Sequence, residues 1–231
     1  ELGNKDELKG YSDIFPRNGI GVAQGSSLSA FAGNVLLYDL DHELNTSSVT
    51  AIRYIDDLFM LSDNQSELAN AVSVAKAQLT SLGFSLYEPA PGSTKAAEGN
   101  CASGFNLLGC SIQPNRCLPS TGSKQKLIED IRTDISKSKS SIKDLAIDPS
   151  KFDLKHSRSA TIKRIGDRLY GWQKSFAFCT HADVFASVDE RIAKFILDYD
   201  HAVFRLTNSY PMPYRMMALG IPNLAAMPLN K

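Results

Sequence analysis

The stretch Val49-Thr50-Ala51-Ile52-Arg53-Tyr54-Ile55-Asp56-Asp57-Leu58-Phe59-Met60-Leu61 decides how this sequence is read. Two β-prone runs, Val49 to Ile55 and Leu58 to Leu61, flank a pair of neighbouring carboxylates, a pattern that predicts a tight hairpin. Side-by-side carboxylates repel each other, and a divalent cation relieves the repulsion. Their hard oxygen donors suit Mg²⁺, with Mn²⁺ as its substitute. A pair of such ions can clamp the attacking and leaving oxygens of a phosphoryl transfer. The competing reading of a bare Asp-Asp is a solvated turn. The apolar residues on both sides weigh against it.

Outward from the hairpin the pattern is mixed. Gly25 to Leu44 reads as a helix, with Phe31, Val35, Leu36, Leu40 and Leu44 at helical spacing. Ser66 to Leu82 reads as another, capped by Ser66 and stopped by Gly83. Phe84 to Tyr87 is expected to be a short strand. Phe105 to Ile112 is expected to be a strand, or a hairpin interrupted by Gly109. Glu88–Gly104 and Gln113–Gly122 read as loops, the second as the domain boundary. Beyond it, three apolar stripes step by three and four: Leu127 to Leu145, Ile162 to Phe176, and Phe185 to Tyr199. They predict three amphipathic helices packed as a bundle. Lys124, Lys126, Arg132, Lys163 and Arg164 lie between the stripes. Trp172, on the second stripe, reads as core. The last stretch has four of the ten prolines and little periodicity, and reads as a tail. The expected fold class is α+β: a small antiparallel sheet with packed helices, then a three-helix bundle.

The 231 residues are 43% hydrophobic and 22% charged, which excludes a disordered chain and a collagen-like repeat. No run approaches the roughly 18 apolar residues that a membrane-spanning helix needs. The polar start, ELGNKDELKG, lacks the layout of a signal peptide, so a cytoplasmic setting is the expectation. The formal net charge is +0, but residues 1–112 hold 6 Lys and Arg against 13 Asp and Glu, and residues 113–231 hold 19 against 12. The basic half suggests a polyanionic partner; two solvated faces of opposite sign are the plainer account. The four cysteines, 101, 110, 117 and 179, include no C-x-x-C pair and no histidine at zinc-ligand spacing. Free, mostly buried thiols are expected, not a structural zinc or a disulfide framework.

Tyr54-Ile55-Asp56-Asp57 resembles the Y-x-D-D signature of reverse transcriptases, and other segments follow in the family's order. Gly21-Val22-Ala23-Gln24-Gly25-Ser26-Ser27-Leu28-Ser29 looks like its glutamine-glycine segment, with Asn34 further along. Ser93-Thr94-Lys95 stands where the family places a lysine. Phe105-Asn106-Leu107-Leu108-Gly109 looks like the primer-grip hairpin, and the later helices resemble the thumb of bacterial group II intron-like enzymes. The resemblance covers about residues 15 to 200. It implies an RNA-directed DNA polymerase of the bacterial intron, retron or phage-defence kind, using deoxynucleoside triphosphates and a structured non-coding RNA template. Asp56 would coordinate Mg²⁺ or Mn²⁺, with Asp57 supporting. Gln24 and Gly25 would sit beside the incoming nucleotide, Tyr54 near the primer end, and Lys95 on the triphosphate. Leu108 and Gly109 would grip the primer. The cations on the helices would track phosphates without reading sequence. On this reading residues 1–112 are palm, 113–205 thumb and 206–231 a tail.

One departure stands out. The family uses a third carboxylate on a strand well upstream of the glutamine-glycine segment, and Asp13 lies too close to Gln24 to be it. The expectation is a C-terminal palm and thumb that works with the remaining N-terminal part of the same enzyme. The alternative is a non-catalytic nucleic-acid-binding module that keeps a relic palm.

Overall fold

The computed structural model describes residues 27–93 and 95–224. The chain divides into two compact units between Glu98 and Gly99. In the first, helices α1 (Ser27–Leu36) and α2 (Tyr38–Leu44) precede strands β1 (Thr50–Tyr54) and β2 (Asp57–Leu61) and helix α3 (Gln65–Ser81). The single long helix expected up to Leu44 is thus two, broken at Leu37. The strands pair antiparallel with Tyr54 opposite Asp57 and Thr50 opposite Leu61, so the predicted hairpin is present.

The core of this unit is one layer of helix against one face of the hairpin. Leu40, Leu44, Val49, Ala71, Ala75 and Leu79 are buried, and Ala51, Leu58, Met60 and Leu86 pack against them. Asn45 ties helix to strand with three hydrogen bonds. Its Nδ2 donates to the Asp41 and Ala51 carbonyls, at 2.8 and 3.1 Å, and its Oδ1 accepts from Ala51 N at 2.9 Å. The cap of α3 is Asn64, whose Oδ1 accepts from Ser66 N and Glu67 N, and not Ser66 itself. Residues 84–87 form no strand: Leu86 packs on the core, but no neighbouring strand among the described residues takes up their backbone groups.

The second unit opens with strands β3 (Phe105–Leu107), β4 (Cys110–Gln113) and β5 (Arg116–Pro119), a meander of two tight hairpins. Leu108 and Gly109 link the first pair, both at positive φ (48° and 78°), which is the type I′ pattern. Pro114-Asn115, with Asn115 at φ 58°, links the second in the type II pattern. The segment read as a boundary loop, Gln113–Gly122, therefore contains a strand. Proline and asparagine there mark a two-residue turn, not a linker. Ser120 then caps the next helix, its hydroxyl accepting from Ser123 N at 3.1 Å.

Three long helices follow: α4 (Thr121–Asp144), α5 (Arg158–Ser175) and α6 (Asp183–Thr207). Their stripes meet as predicted. Leu127, Ile128, Ile131, Ile165, Val188 and Ile192 form one buried cluster. Ile142, Leu145, Tyr199, Val203 and Ala218 form a second. Ala218 belongs to a fourth helix, α7 (Met212–Leu219), inside the segment read as a tail. Pro211 opens it, and Gly220, at φ 104°, closes it, with Gly220 N and Ile221 N donating back to the Met217 and Met216 carbonyls. A Cβ at Gly220 would fall 2.0 Å from Ser159 Oγ. These two end signals outweigh the weak periodicity between them. Trp172 is part of the bundle, its indole N–H donating to Ser123 Oγ at 3.2 Å and its ring lying 5.0 Å from that of Phe176. Among the described residues no helix is long and apolar enough to cross a membrane.

A polar pin crosses the second cluster. Ser138 Oγ donates to the His156 carbonyl at 2.7 Å and lies 2.6 Å from Tyr199 Oη. Burial pushes the Tyr199 phenol above its ordinary 10.0, a shift that its hydrogen bond to Ser138 only partly offsets. The unfolded chain therefore loses this proton at lower pH than the folded one. The phenol's contribution is complete below pH 10 and declines as pH rises beyond it. Tyr199→Phe is expected to cost about 1 kcal/mol at neutral pH. In urea titrations repeated at increasing pH, it should also flatten the fall in stability above pH 10.

Candidate active site

The tip of the β1–β2 hairpin is a two-residue connection, Ile55-Asp56, with Asp57 opening β2. Ile55 has φ 58°, a region that a β-branched side chain disfavours, while Asp56 does not share the positive φ. That sign pattern belongs to a type II′ turn, whose first position ordinarily takes glycine. Strain of about 1–3 kcal/mol per such residue persists only where the surroundings hold it. The tip is open: Tyr54 and Ile55 are 58% and 59% exposed, and both aspartates are exposed.

Arg53 holds this tip. It alternates with Tyr54 and turns to the opposite face of the strand, where its side chain is only 8% exposed. Its Nε and Nη2 donate to the two oxygens of Asp41 on α2, at 2.7 and 2.5 Å, a bidentate pair. Nη1 donates to the Ile55 carbonyl at 2.8 Å and to Asn34 Oδ1 on α1 at 3.2 Å. The hydrogen bonds that Arg53 donates to Asp41 raise the Arg53 pKa above its ordinary value. One guanidinium thus joins two helices to the strained carbonyl that precedes Asp56. Strand alternation alone puts Arg53 on the face opposite Tyr54, but it does not name this role. The available signal is a cation at an inward strand position, which requires an acidic partner from the helix beneath.

Both carboxylate oxygens of Asp41 accept from Arg53. The side chains of Asp56 and Asp57 make no ion pair or hydrogen bond among the described residues, and no third carboxylate joins them there to form a ligand group. Lys95 lies in the same unit, on the loop after α3. Its ammonium sits 5.7 Å from the ring centre of Tyr87, and its backbone N–H donates to Ser93 Oγ. Gln24 and Gly25 lie outside the described residues.

Leu108 and Gly109 belong to the second unit, at the turn of the β3–β4 hairpin. Leu108 is exposed, and Gly109 backs onto the Phe176 ring, which a Cβ there would meet at 3.6 Å. The cations of that unit differ in what they face. Lys126 and Arg132 on α4 are exposed, Lys124 is half-buried, and the Arg132 guanidinium lies 4.9 Å from the ring centre of Phe195. Lys163 pairs with Asp167, one helical turn along, at 2.6 Å. Arg164 turns inward: its Nε donates to Asp134 at 3.2 Å, and Nη1 and Nη2 reach the Lys155 carbonyl and Thr161 Oγ1. Arg168 bridges Asp134 and Asp130. Arg164 thus serves the α4–α5 packing.

Two substitutions test the tip. Ile55→Gly removes the disfavoured φ and is expected to raise stability by about 1 kcal/mol. Arg53→Ala unpairs Asp41 and frees the Ile55 carbonyl, and is expected to cost about 2 kcal/mol. Urea denaturation at neutral pH measures both. Arg53→Lys should recover little of that loss, since an ammonium cannot reproduce the fork.

No curated protein matches this chain. Residues 16–88, the stretch that contains the open, arginine-held aspartate hairpin, match the model of the reverse transcriptase (RNA-dependent DNA polymerase) family.

Proposed function

We propose that this chain supplies the palm and thumb of an RNA-directed DNA polymerase. In this reading Asp56 and Asp57 hold the divalent metal for nucleotidyl transfer to a primer 3′-hydroxyl. The observation that carries it is the Ile55-Asp56 turn. Two adjacent carboxylates, with no side-chain partner among the described residues, stand at a strained two-residue turn inside the segment that matches the family. The donor set suits the ion, since exposed carboxylate oxygens are hard ligands for Mg²⁺ or Mn²⁺. A bound divalent ion would favour the 3′-alkoxide and neutralise charge on the reacting phosphates.

The chain's own residues do the positioning. Arg53 fixes the tip from beneath, so the aspartates need little reorganisation to take up an ion. Tyr54, on the open face of β1, lies next to the primer end. Lys95 brings a cation to the leaving pyrophosphate. Gln24 and Gly25 contact the incoming deoxynucleotide, and Leu108 and Gly109 the primer strand. Lys124, Lys126 and Arg132 track template phosphates, with weaker contributions from Lys163 and Arg164, which are paired with acids. Asp41 is paired with Arg53 and does not group with Asp56 and Asp57, so in this reading the remaining carboxylate comes from the N-terminal part of the enzyme.

The Ser29-Ala30 step, where intron enzymes carry Ser-Pro, and the compact helical unit favour a retron-like or phage-defence member in the cytoplasm, copying a structured non-coding RNA. A second reading is a nucleic-acid-binding module with a relic palm. It is favoured by the lack of a third carboxylate beside Asp56 among the described residues.

In the intact polymerase, Asp56→Asn is expected to lower RNA-templated primer extension by at least about a hundredfold, since even residues behind a metal ligand matter 10–100-fold. Primer–template affinity should stay within about threefold of the parent. Mn²⁺ binding followed by electron paramagnetic resonance should weaken in the same variant. Unchanged extension and unchanged Mn²⁺ binding would establish the binding module instead.

A further inference from the structure

Cys110, Cys117 and Cys179 are remote in sequence and lack zinc-finger spacing, yet the fold of the second unit gathers them. Their three sulfurs all lie within 4.8 Å of one another. Cys110 opens β4, Cys117 lies on β5, and Cys179 sits in the connection between α5 and α6. None is in a disulfide.

The gathering is built into the backbone. Thr180 N donates to the Cys117 carbonyl at 3.0 Å, and Cys117 N donates to Thr180 Oγ1 at 3.2 Å. The connection is thereby laid onto β5 like the start of another strand, with Cys179 fixed beside Cys117. Cys179 N is itself held by the Phe176 carbonyl at 3.0 Å. Phe176 is buried and backs the turn at Gly109, one residue before Cys110. Three separate elements thus converge, with an aromatic wall on one side.

We propose that Cys110, Cys117 and Cys179 form a thiolate site for a soft d¹⁰ cation, zinc above all, which staples the β4–β5 hairpin to the α5–α6 connection. A tetrahedral ion with Zn–S bonds of about 2.3 Å needs its sulfurs about 3.8 Å apart, and the fold holds all three within 4.8 Å. Soft thiolates select Zn²⁺ over the hard Mg²⁺ and Mn²⁺ proposed for Asp56 and Asp57, so the two sites would not compete for one ion. No His, Asp or Glu joins the three sulfurs among the described residues, which leaves a fourth position to water. Cys110 is 5% exposed. Burial first, and the neighbouring thiols second, push its thiol up to about 11. Ion binding displaces thiol protons, so uptake is expected to strengthen as pH rises. Cys101 is exposed and stands outside the cluster, which makes it the internal control.

The test uses the full chain, reduced and stripped of metal, titrated with Co²⁺ and then with Zn²⁺. A thiolate-to-cobalt charge-transfer band should appear, and about one equivalent of Zn²⁺ per chain should abolish it. Zn²⁺ should also raise the thermal midpoint and protect three of the four thiols from alkylation. Cys117→Ser and Cys179→Ser should each weaken Zn²⁺ binding at least about tenfold, and Cys101→Ser should leave it unchanged. Cys110→Ser, at the most buried position, is the variant at risk of misfolding. Cys179→Ser with parental circular dichroism therefore carries the conclusion. The proposal is overturned if the folded, reduced parent gives no cobalt band. It is equally overturned if the band survives Cys179→Ser or disappears with Cys101→Ser.

Discussion

The fork between Arg53 and Asp41 is the interaction on which the first unit depends. A two-stranded hairpin is marginal in water, and one whose turn places isoleucine at positive φ is worse. The compensation comes from below. Helix α2 presents Asp41, α1 presents Asn34, and a single guanidinium joins both to the carbonyl of Ile55. An arginine does this where a lysine could not, because its planar fork keeps donors for the turn while two are spent on the carboxylate. The aspartates above are left with no protein partner among the described residues. Support and open charge are thereby divided among three acids. Asp41 stabilises the fold, and Asp56 and Asp57 remain open to a cation.

The second unit solves a different problem. Its three long helices have enough apolar stripe to bury one another, and its charged residues are sorted by position. Asp134, nearly buried, draws Arg164 and Arg168 inward and locks α4 to α5. Buried ion pairs of this kind give little net stability against an apolar substitute, but removing one partner is costly. The cations left on the surface of α4, Lys126 and Arg132 among them, are those that no acid among the described residues neutralises at close range. The basic excess of residues 113–231 is therefore not spread evenly over its helices.

What could be read from the sequence follows from how local each signal is. The hairpin at Asp56 and Asp57 and the three amphipathic helices rest on periodicities of two and 3.6, which survive without tertiary knowledge. The cap of α3 lies two residues before Ser66, because Asn64 and Ser66 are both good caps and only the fold decides between them. Strand β5 was hidden because Pro114 and Asn115 are signals of a turn and of a linker alike. Helix α7 was hidden because its eight residues carry little periodicity, while its ends, Pro211 and Gly220, are explicit. The Arg53 network and the cysteine cluster were illegible for a stricter reason. Both join residues from separate elements, and no spacing rule within one element encodes that. Gly109 is intermediate: its sequence marked a break in a strand, and the structure adds Phe176 behind it.

The hydroxyl of Ser138, wedged between Tyr199 and the His156 carbonyl, has a mechanical meaning. Apolar ridges can slip past one another by a turn with little loss, because one leucine resembles the next. A buried donor and acceptor cannot, since each would be stranded without a partner after the slip. Helices α4 and α6 are thus keyed like a tooth in a rack. The bundle can accommodate a variable surface through the rotamers of its long exposed side chains, but not by shearing.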